Sequence, residues 1–251
     1  MSPLEKKSLF GLASLYAFRM IGLFMLLPVL SLYAEEYSGS TIILVGVALG
    51  VYGLTQGLFQ IPLGFLSDRF GRKPIIFIGM LIFFLGSIIA ATSETMLGLI
   101  AGRALQGVGA VASTIMALLS DLTTEQSRTK AMAVIGASIG VSFAVSLIVG
   151  PILANLWGLS GLFWLTAVLS ILGSLILFFL VPTPSVLRNN PESQAVPQML
   201  SRLLKNRELL RLNFGIAVLH FSQMAIWISV PLILEQTFNF NREGHWIIYL
   251  T

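Results

Sequence analysis

Residues 64–73 of the chain read GFLSDRFGRK and place one acid and three bases between two long apolar segments. The chain as a whole is 56% hydrophobic and 10% charged, with a mean hydropathy of +0.89. Soluble domains carry about 25% charged residues, so this composition excludes a soluble protein and favours one embedded in lipid. We therefore interpret residues 64–73 as a loop between two membrane-spanning helices.

Apolar windows long enough to span a bilayer, which takes about 20 helical residues, follow one another along the chain. They fall near 8–34, 42–66, 75–93, 95–119, 130–155, 160–181 and 209–236. They do not alternate polar and apolar residues as barrel strands do. The sequence therefore predicts an all-α membrane protein: a six-helix transmembrane bundle in 1–181, a proline-rich cytoplasmic linker in 182–208, and a seventh helix that starts a second bundle in 209–251. The linker is either an amphipathic helix on the inner membrane surface or a solvated segment.

Basic residues concentrate in the loops of one side. If the N-terminus is inside, 12 of the 15 bases face the cytoplasm, whereas the outer loops carry Glu35, Glu36 and Glu94. The 12 are Lys6, Lys7, Arg69, Arg72, Lys73, Arg128, Lys130, Arg188, Arg202, Lys205, Arg207 and Arg211. By the positive-inside rule this predicts a polytopic membrane protein with a cytoplasmic N-terminus.

Several classes of function are disfavoured by the residues present. The chain has no cysteine, and its two histidines match no metal-ligand spacing, so we expect no metal and no cofactor. The bases lie in short loops and form no basic face, which argues against a nucleic-acid partner. The spans hold no Ser-Lys pair, Asp dyad or His-Glu-Asp set, so we do not expect an enzyme.

The charged loop matches a family signature. Its six defined positions, Gly64, Asp68, Arg69, Gly71, Arg72 and Lys73, fit G-x-x-x-D-[RK]-x-G-R-[RK] after a second span, and the chain resembles the major facilitator superfamily. The resemblance implies secondary transport by two helix bundles, each a 3+3 inverted repeat, with these residues in a conformational latch. Asp121 after the fourth span and Arg128 before the fifth are the expected partners, and we predict one cluster of Asp68, Arg72, Asp121 and Arg128.

Two arginines lie inside the spans. Arg103, with Gln106, Gly107 and Gly109, resembles the family's R-x-x-Q-G-x-G motif, and Arg19 lies about 11 residues into the first span. A cation facing lipid at mid-bilayer costs at least about 2.5–3.5 kcal/mol, so both side chains should face protein or a wet cavity. The family places such an arginine in proton coupling or in the substrate path.

Other polar residues of the spans are candidates for the same path. Gln56 and Gln60 either line it with Arg19 or form hydrogen bonds between helices. No acid lies in the central part of the first six spans, so the proton site is either His220, Asp68 or Asp121, or a residue beyond Thr251. A regular glycine spacing along the second span predicts close helix packing there.

The fifth span keeps Gly150 and Pro151, at which the family's antiporters carry a hinge or seal, although the flanking glycine pattern is incomplete. The first-span residues Arg19, Gly22 and Pro28 resemble a bacterial drug-exporter-like branch, which implies a location in the bacterial inner membrane. We therefore expect proton-coupled efflux of a drug or metabolite; sugar or organic-acid uptake, or a non-transporting membrane scaffold or sensor, are the alternatives. Expected partners are membrane lipid, a small-molecule substrate, protons and a C-terminal helix bundle of the same polypeptide.

Overall fold

A computed structural model describes residues 1–183 and 205–250, which are mostly helical and contain no strand. The helices are α1 (Pro3–Phe24), α2 (Leu30–Tyr33), α3 (Ile42–Phe70), α4 (Arg72–Thr92), α5 (Met96–Val108), α6 (Ala112–Asp121), α7 (Glu125–Phe179), α8 (Arg207–Gln236) and α9 (His245–Leu250). The amphipathic helix considered for the linker falls mainly in 184–204, outside the described residues.

Five stretches of the described residues are helical, long and apolar enough to cross a membrane: Ile42–Phe70, Arg72–Thr92, Met96–Asp121, Glu125–Phe179 and Arg207–Gln236. Large apolar side chains such as Ile43, Leu97 and Phe179 are exposed on the outside of these helices, as expected for contact with lipid chains. The buried core lies between α1, α4, α5 and α7.

The first predicted span is not one helix. Ser2 and Glu5 form a capping box at the start of α1, which ends at Phe24, and helix resumes only at Leu30. Pro28 explains the interruption, since proline lacks the N–H for the helical ladder and its ring clashes with the preceding turn. The chain reverses after α2, through a loop that leads into α3.

The fourth predicted span is also interrupted, between Val108 and Ala112. An added Cβ at Gly109 would overlap the carbonyl oxygen of Gly79 on α4, so only glycine permits this approach of the two backbones. The break frees the carbonyl of Gly109 from the helical ladder, which leaves it available to a side chain.

Helix α7 contains the fifth and sixth predicted spans. Its 55 residues would extend about 83 Å at ~1.5 Å per residue, far more than a bilayer of about 30 Å. Gly158 has φ +66° and ψ −175°, which breaks the helix into two arms. The N-cap of the first arm, Thr124, contacts Glu5, and Val181 beyond the second arm lies against Gly11. Because both contacts are with the first half of α1, the chain reverses direction at Gly158.

Glycines permit close helix packing on α4 and α5, whereas the glycines of α3 take almost no part in it. An added Cβ at Gly86 would lie 2.6 Å from the backbone nitrogen of Gln106, whereas Gly50, Gly53 and Gly57 have no described atom within 4 Å of such a Cβ. The expectation of a packed glycine face along the second span is therefore wrong for the described residues. These α3 glycines leave open space beside the helix instead.

Candidate functional site

Arg103 on α5 is 1% exposed and has three kinds of neutral contact. Its Nε donates to the carbonyl of Ala48 at 3.3 Å, and Nη1 donates to Oε1 of Gln106 at 2.9 Å. The amide of Gln106 donates in turn to the hydroxyl of Ser87 on α4 at 2.8 Å. The guanidinium also lies over the ring of Tyr52, 4.7 Å from its centroid, in cation–π geometry. The network joins α3, α4 and α5 around one buried cation.

Arg19 on α1 is completely buried. Its Nη2 donates to the hydroxyl of Tyr52 at 3.3 Å and to the carbonyl of Gly109, freed by the break between α5 and α6, at 3.2 Å. Its Nε and Nη1 are buried without a hydrogen-bond partner among the described residues. Tyr52 therefore contacts both arginines, one through its hydroxyl and the other through its ring.

A cavity of about 650 Å³ opens beside Arg103, between α1, α3, α5 and α8. Its polar lining consists of Tyr52, Gln56, Arg103 and His220, and the rest is apolar or glycine, including the open α3 positions Gly50 and Gly53. Arg19 and Gln106 do not line this cavity, since they lie behind Tyr52 and Arg103. The structure thus brings three of the predicted path residues together and holds Arg19 in a supporting position.

Gln60 is separate from this cavity. It lies one turn further along α3, where it lines a second cavity of about 320 Å³ together with Gly64, Asp68 and Arg72. Its carbonyl accepts a hydrogen bond from Ser113 on α6 at 3.4 Å. The expected continuous path through Gln56 and Gln60 is therefore divided between two cavities in this structure.

The end of the molecule that carries residues 64–73, here called the motif end, holds an ion triad of Asp68, Arg72 and Asp121. Arg72 contacts Asp68 through Nη1 at 2.5 Å and Asp121 through Nε at 3.2 Å, so it ties α3 and α4 to the end of α6. Its Nη1 also donates to Ser67, whose hydroxyl donates to the carbonyl of Gly64. Gly71, at φ +94°, makes the turn between α3 and α4 that this geometry requires.

The other predicted latch bases make different contacts. Arg128 forms no ion pair with a described residue, and its Nε is buried without a hydrogen-bond partner in the described chain. The predicted four-residue cluster is therefore a triad in this structure. Lys73 donates to the carbonyl of Val181 at 2.8 Å, just beyond the end of α7, and Arg69 lies over the ring of Phe70.

Glu5 is a charged contact at the motif end that the sequence analysis missed. Its Oε1 accepts from the backbone nitrogen and the hydroxyl of Thr124, at 2.8 and 2.9 Å, and its Oε2 accepts from the nitrogen of Ser2. These bonds, the one from the Thr124 backbone foremost, lower the pKa of Glu5 from 4.5 to about 2. The capping pattern of Ser2 and Glu5 was visible in the sequence, but the second contact, 119 residues away, was not.

The remaining predicted glycines mark close approaches. An added Cβ at Gly107 would overlap Thr55 and the carbonyl of Tyr52 on α3, and one at Gly150 would lie 2.7 Å from the carbonyl of Met25. The helix continues through Pro151, and the non-helical dihedral angles of α7 occur at Gly158 instead. Gly150 therefore permits contact between α7 and the segment after α1.

Known proteins with related sequences and structures bear on this arrangement. Residues 12–251 match a family model described as Major Facilitator Superfamily. The chain is 47% identical over 250 residues to the inner membrane transport protein YajR of Escherichia coli K12, covering 100% of the chain and 55% of that protein. It is 28% identical over 235 residues to the class B tetracycline resistance protein of Escherichia coli, covering 89% of the chain and 56% of the relative. The chain thus spans about half the length of these relatives.

A solved structure shares the fold. A bacterial homolog of the human lysosomal transporter Spinster, in an inward-facing and unoccupied conformation, superposes with a TM-score of 0.82 at 16% identity, covering 99% of this chain and 59% of that one. The predictions of an integral membrane location and of a non-enzymatic family are confirmed by these matches. By its family model, its relatives and its fold, the chain belongs to the major facilitator superfamily.

Proposed function

We propose that the chain forms the substrate-binding first half of a proton-coupled secondary transporter that exports a drug or metabolite by alternating access. The observation that carries this proposal is the cavity of about 650 Å³, whose mainly apolar wall contains a few polar groups gathered around Arg103. Small-molecule sites have this size and lining. The tetracycline resistance protein among the relatives supports efflux as the direction of transport.

In this proposal, residues 1–181 form a bundle of six helices in two inverted-repeat halves, and 209–251 begin a second bundle with a seventh helix, joined by a cytoplasmic linker in 182–208. The contact of α8 with the cavity through His220 and Met224 supports a wall shared between the two bundles. The remainder of that wall comes from a C-terminal bundle. The motif end faces the cytoplasm of a bacterium whose inner membrane holds the protein.

The ion triad acts in this cycle as a latch at the motif end. Arg72 links α3 and α4 to α6, and its partners are 20–33% exposed, so water can compete for them when the helices separate. Gly64 and Gly71 position Arg72, through the hydroxyl of Ser67 and the turn between α3 and α4. Arg69, Lys73 and Arg128 form no ion pair with the triad among the described residues, so their part in the latch belongs to another state of the cycle. The proton moves either on His220, which lines the cavity, or on one of the triad carboxylates.

Flux in proteoliposomes tests the proposal. The complete gene product is reconstituted, a pH gradient is imposed, and movement of tetracycline is followed by its fluorescence. We expect flux that is abolished by a protonophore and reduced at least tenfold by Arg103→Gln, with Arg211→Gln as a control because that exposed arginine lies outside the cavity. Gradient-driven uptake of a sugar or an organic acid would favour the uptake alternative. Absence of flux for all these substrates would favour a scaffold or sensor.

A further inference from the structure

The core arginines, Arg19 and Arg103, have no acidic partner among residues 1–183 and 205–250. The ion pairs of the described residues involve Asp68, Asp121, Glu208 and Glu235, and none of them reaches Arg19 or Arg103. The acceptors of the two guanidiniums are instead two backbone carbonyls, a glutamine amide and a tyrosine hydroxyl. Two positive charges are therefore held in the apolar interior with neutral groups around them.

Such an arrangement is unfavourable unless something else supplies negative charge. An unpaired buried ion loses its hydration, and in proteins buried charges are normally paired. Nε and Nη1 of Arg19 are in addition buried without hydrogen-bond partners in the described chain, although buried donors are rarely left so. Cation–π contacts, 5.4 Å from Phe83 for Arg19 and 4.7 Å from Tyr52 for Arg103, offset only part of this cost.

The cavity gives an anion access to this charge. Arg103 and Tyr52 both line it, and Arg19 reaches Tyr52 from behind through the tyrosine hydroxyl. The other lining side chains include Leu23, Phe24 and Phe221, which suit the apolar body of a ligand. A ligand cation at this place would be repelled by both guanidiniums, and a neutral ligand would leave them uncompensated.

We propose that this cavity binds an organic anion, with its carboxylate or similar acidic group against the guanidinium of Arg103 and its apolar body against α1 and α8. The inference rests on the proposed function in treating the cavity as the substrate site. Arg19 acts as a positioning residue, which holds the Tyr52 hydroxyl and adds positive potential without touching the ligand. Bidentate pairing with carboxylate is the contact for which the planar guanidinium is best suited.

Equilibrium binding of three matched probes tests the proposal. The complete gene product in lipid nanodiscs is titrated with 1-naphthoate, 1-naphthamide and 1-naphthylmethylammonium by calorimetry, without any gradient. We expect the carboxylate to bind at least tenfold more tightly than the amide, and the ammonium to bind more weakly than either. Arg103→Gln should remove the preference for the carboxylate, Arg103→Lys should retain part of it, and Arg211→Gln should leave it unchanged.

The wild-type comparison needs no variant and stays decisive if Arg103→Gln does not fold. Equal binding of carboxylate and amide, tighter binding of the ammonium, or no binding of naphthoate would each overturn the assignment of an anion. The binding measurement uses no gradient, so it is independent of transport. If one of these results were found and tetracycline flux were still observed, the anion site would be wrong and the transport proposal would stand. Loss of flux with intact naphthoate binding would overturn transport and leave the anion site standing.

Discussion

At the motif end, one guanidinium contacts two carboxylates, whereas the two guanidiniums within the apolar spans contact only neutral acceptors among the residues that the structure describes. Arg72 of the ion triad is 14% exposed and satisfied by Asp68, Asp121 and Ser67. Arg19 and Arg103 are 0% and 1% exposed, and Arg19 retains two nitrogens without partners in the described chain. The same residue type is therefore paired with carboxylates at the partly exposed motif end and has no described carboxylate partner where it is buried.

This difference indicates different functions for the two regions. A compensated ion triad stabilises the contact of α3 and α4 with α6, and it breaks when the carboxylates find water instead. A buried cation without a carboxylate partner contributes little to stability and acts mainly on whatever enters the cavity beside it. Exchanging each type of arginine for a neutral residue of similar length separates these two roles.

The largest expected contrast is between Arg19→Met and Arg72→Met. We expect Arg19→Met to raise the free energy of unfolding by about 1–2 kcal/mol, because a buried ion with two unpartnered nitrogens is replaced by an apolar side chain. Arg72→Met should lower it by about 1–3 kcal/mol, because two nearby carboxylates then lose their shared cation. Denaturant unfolding of the parent and the two variants in the same detergent measures both changes in the free energy of unfolding.

Flux measured on the same variants sharpens the comparison. Arg19→Met should transport at least tenfold more slowly than the parent despite its greater stability, since Tyr52 loses the donor that orients its hydroxyl. If Arg19→Met lost as much stability as Arg72→Met, the distinction between compensated and uncompensated arginines would fail. The two hydrogen bonds that Arg19 loses, at 3.2 and 3.3 Å, would then contribute more to stability than the desolvation of its charge costs.

Gly107→Ala and Gly57→Ala should also change the stability of the protein in opposite directions. A Cβ at Gly107 would overlap the carbonyl of Tyr52 and push α5, with Arg103, away from α3, at a cost of about 1–3 kcal/mol. At Gly57 the described chain leaves the position open, so alanine should stabilise α3 by roughly 0.5–1 kcal/mol through its helix propensity. Thermal unfolding of the two variants gives opposite shifts, and equal shifts would mean that α3 and α5 are not in close contact.

These contrasts also show what the sequence could and could not predict. The charged loop was found because a fixed spacing of charges and glycines stands out in an apolar chain, and Arg103 because it is a cation inside a predicted span and part of a pattern that resembles a family motif. The pairing of Arg72 with Asp68 and Asp121 followed from helix ends meeting on one side of a membrane. Arg128 was assigned to the same cluster by the same reasoning, yet a shared side fixes neither the rotation of a helix nor the direction of a side chain.

Contacts that depend on interruptions of helices were not predictable in this way. Hydropathy windows pass smoothly through Pro28 and Gly109, although α1 ends before the first and the fourth span breaks at the second. The turn at Gly158 is different, because it falls between the windows 130–155 and 160–181 and was therefore expected. The Gly109 carbonyl is an acceptor for Arg19 only because of its break. The tyrosine between the two arginines gave no signal either, since nothing in the sequence around Tyr52 distinguishes it from a lipid-facing aromatic residue.

A smaller effect is expected from salt. Raising the ionic strength from 0.1 to 1 M shortens the Debye length from about 10 to 3 Å, which weakens partly exposed ion pairs and hardly affects buried ones. The loss of unfolding free energy caused by Arg72→Met should therefore be smaller by a few tenths of a kcal/mol in high salt. The change in unfolding free energy caused by Arg103→Met should be the same at both salt concentrations. Denaturation curves at the two salt concentrations provide the measurement. An equal salt response of both variants would show that water reaches Arg103 as freely as Arg72.

The last contrast concerns Glu5, a carboxylate at the motif end that is stabilised mainly by hydrogen bonds from the N-termini of α7 and α1. Its pKa is lowered from 4.5 to about 2 in the folded protein, so it contributes stability that is fully present above pH 4.5 and is lost as the pH falls toward 2. Glu5→Gln keeps the length of the side chain and removes the charge. Its deficit relative to the parent should therefore be constant between pH 5 and 7 and vanish progressively below pH 4.5, as followed by thermal unfolding. A stability deficit that persisted at pH 3 would mean that Glu5 acts through its shape and through neutral hydrogen bonds. Its negative charge would then not contribute to stability, in contrast to the charges of the ion triad.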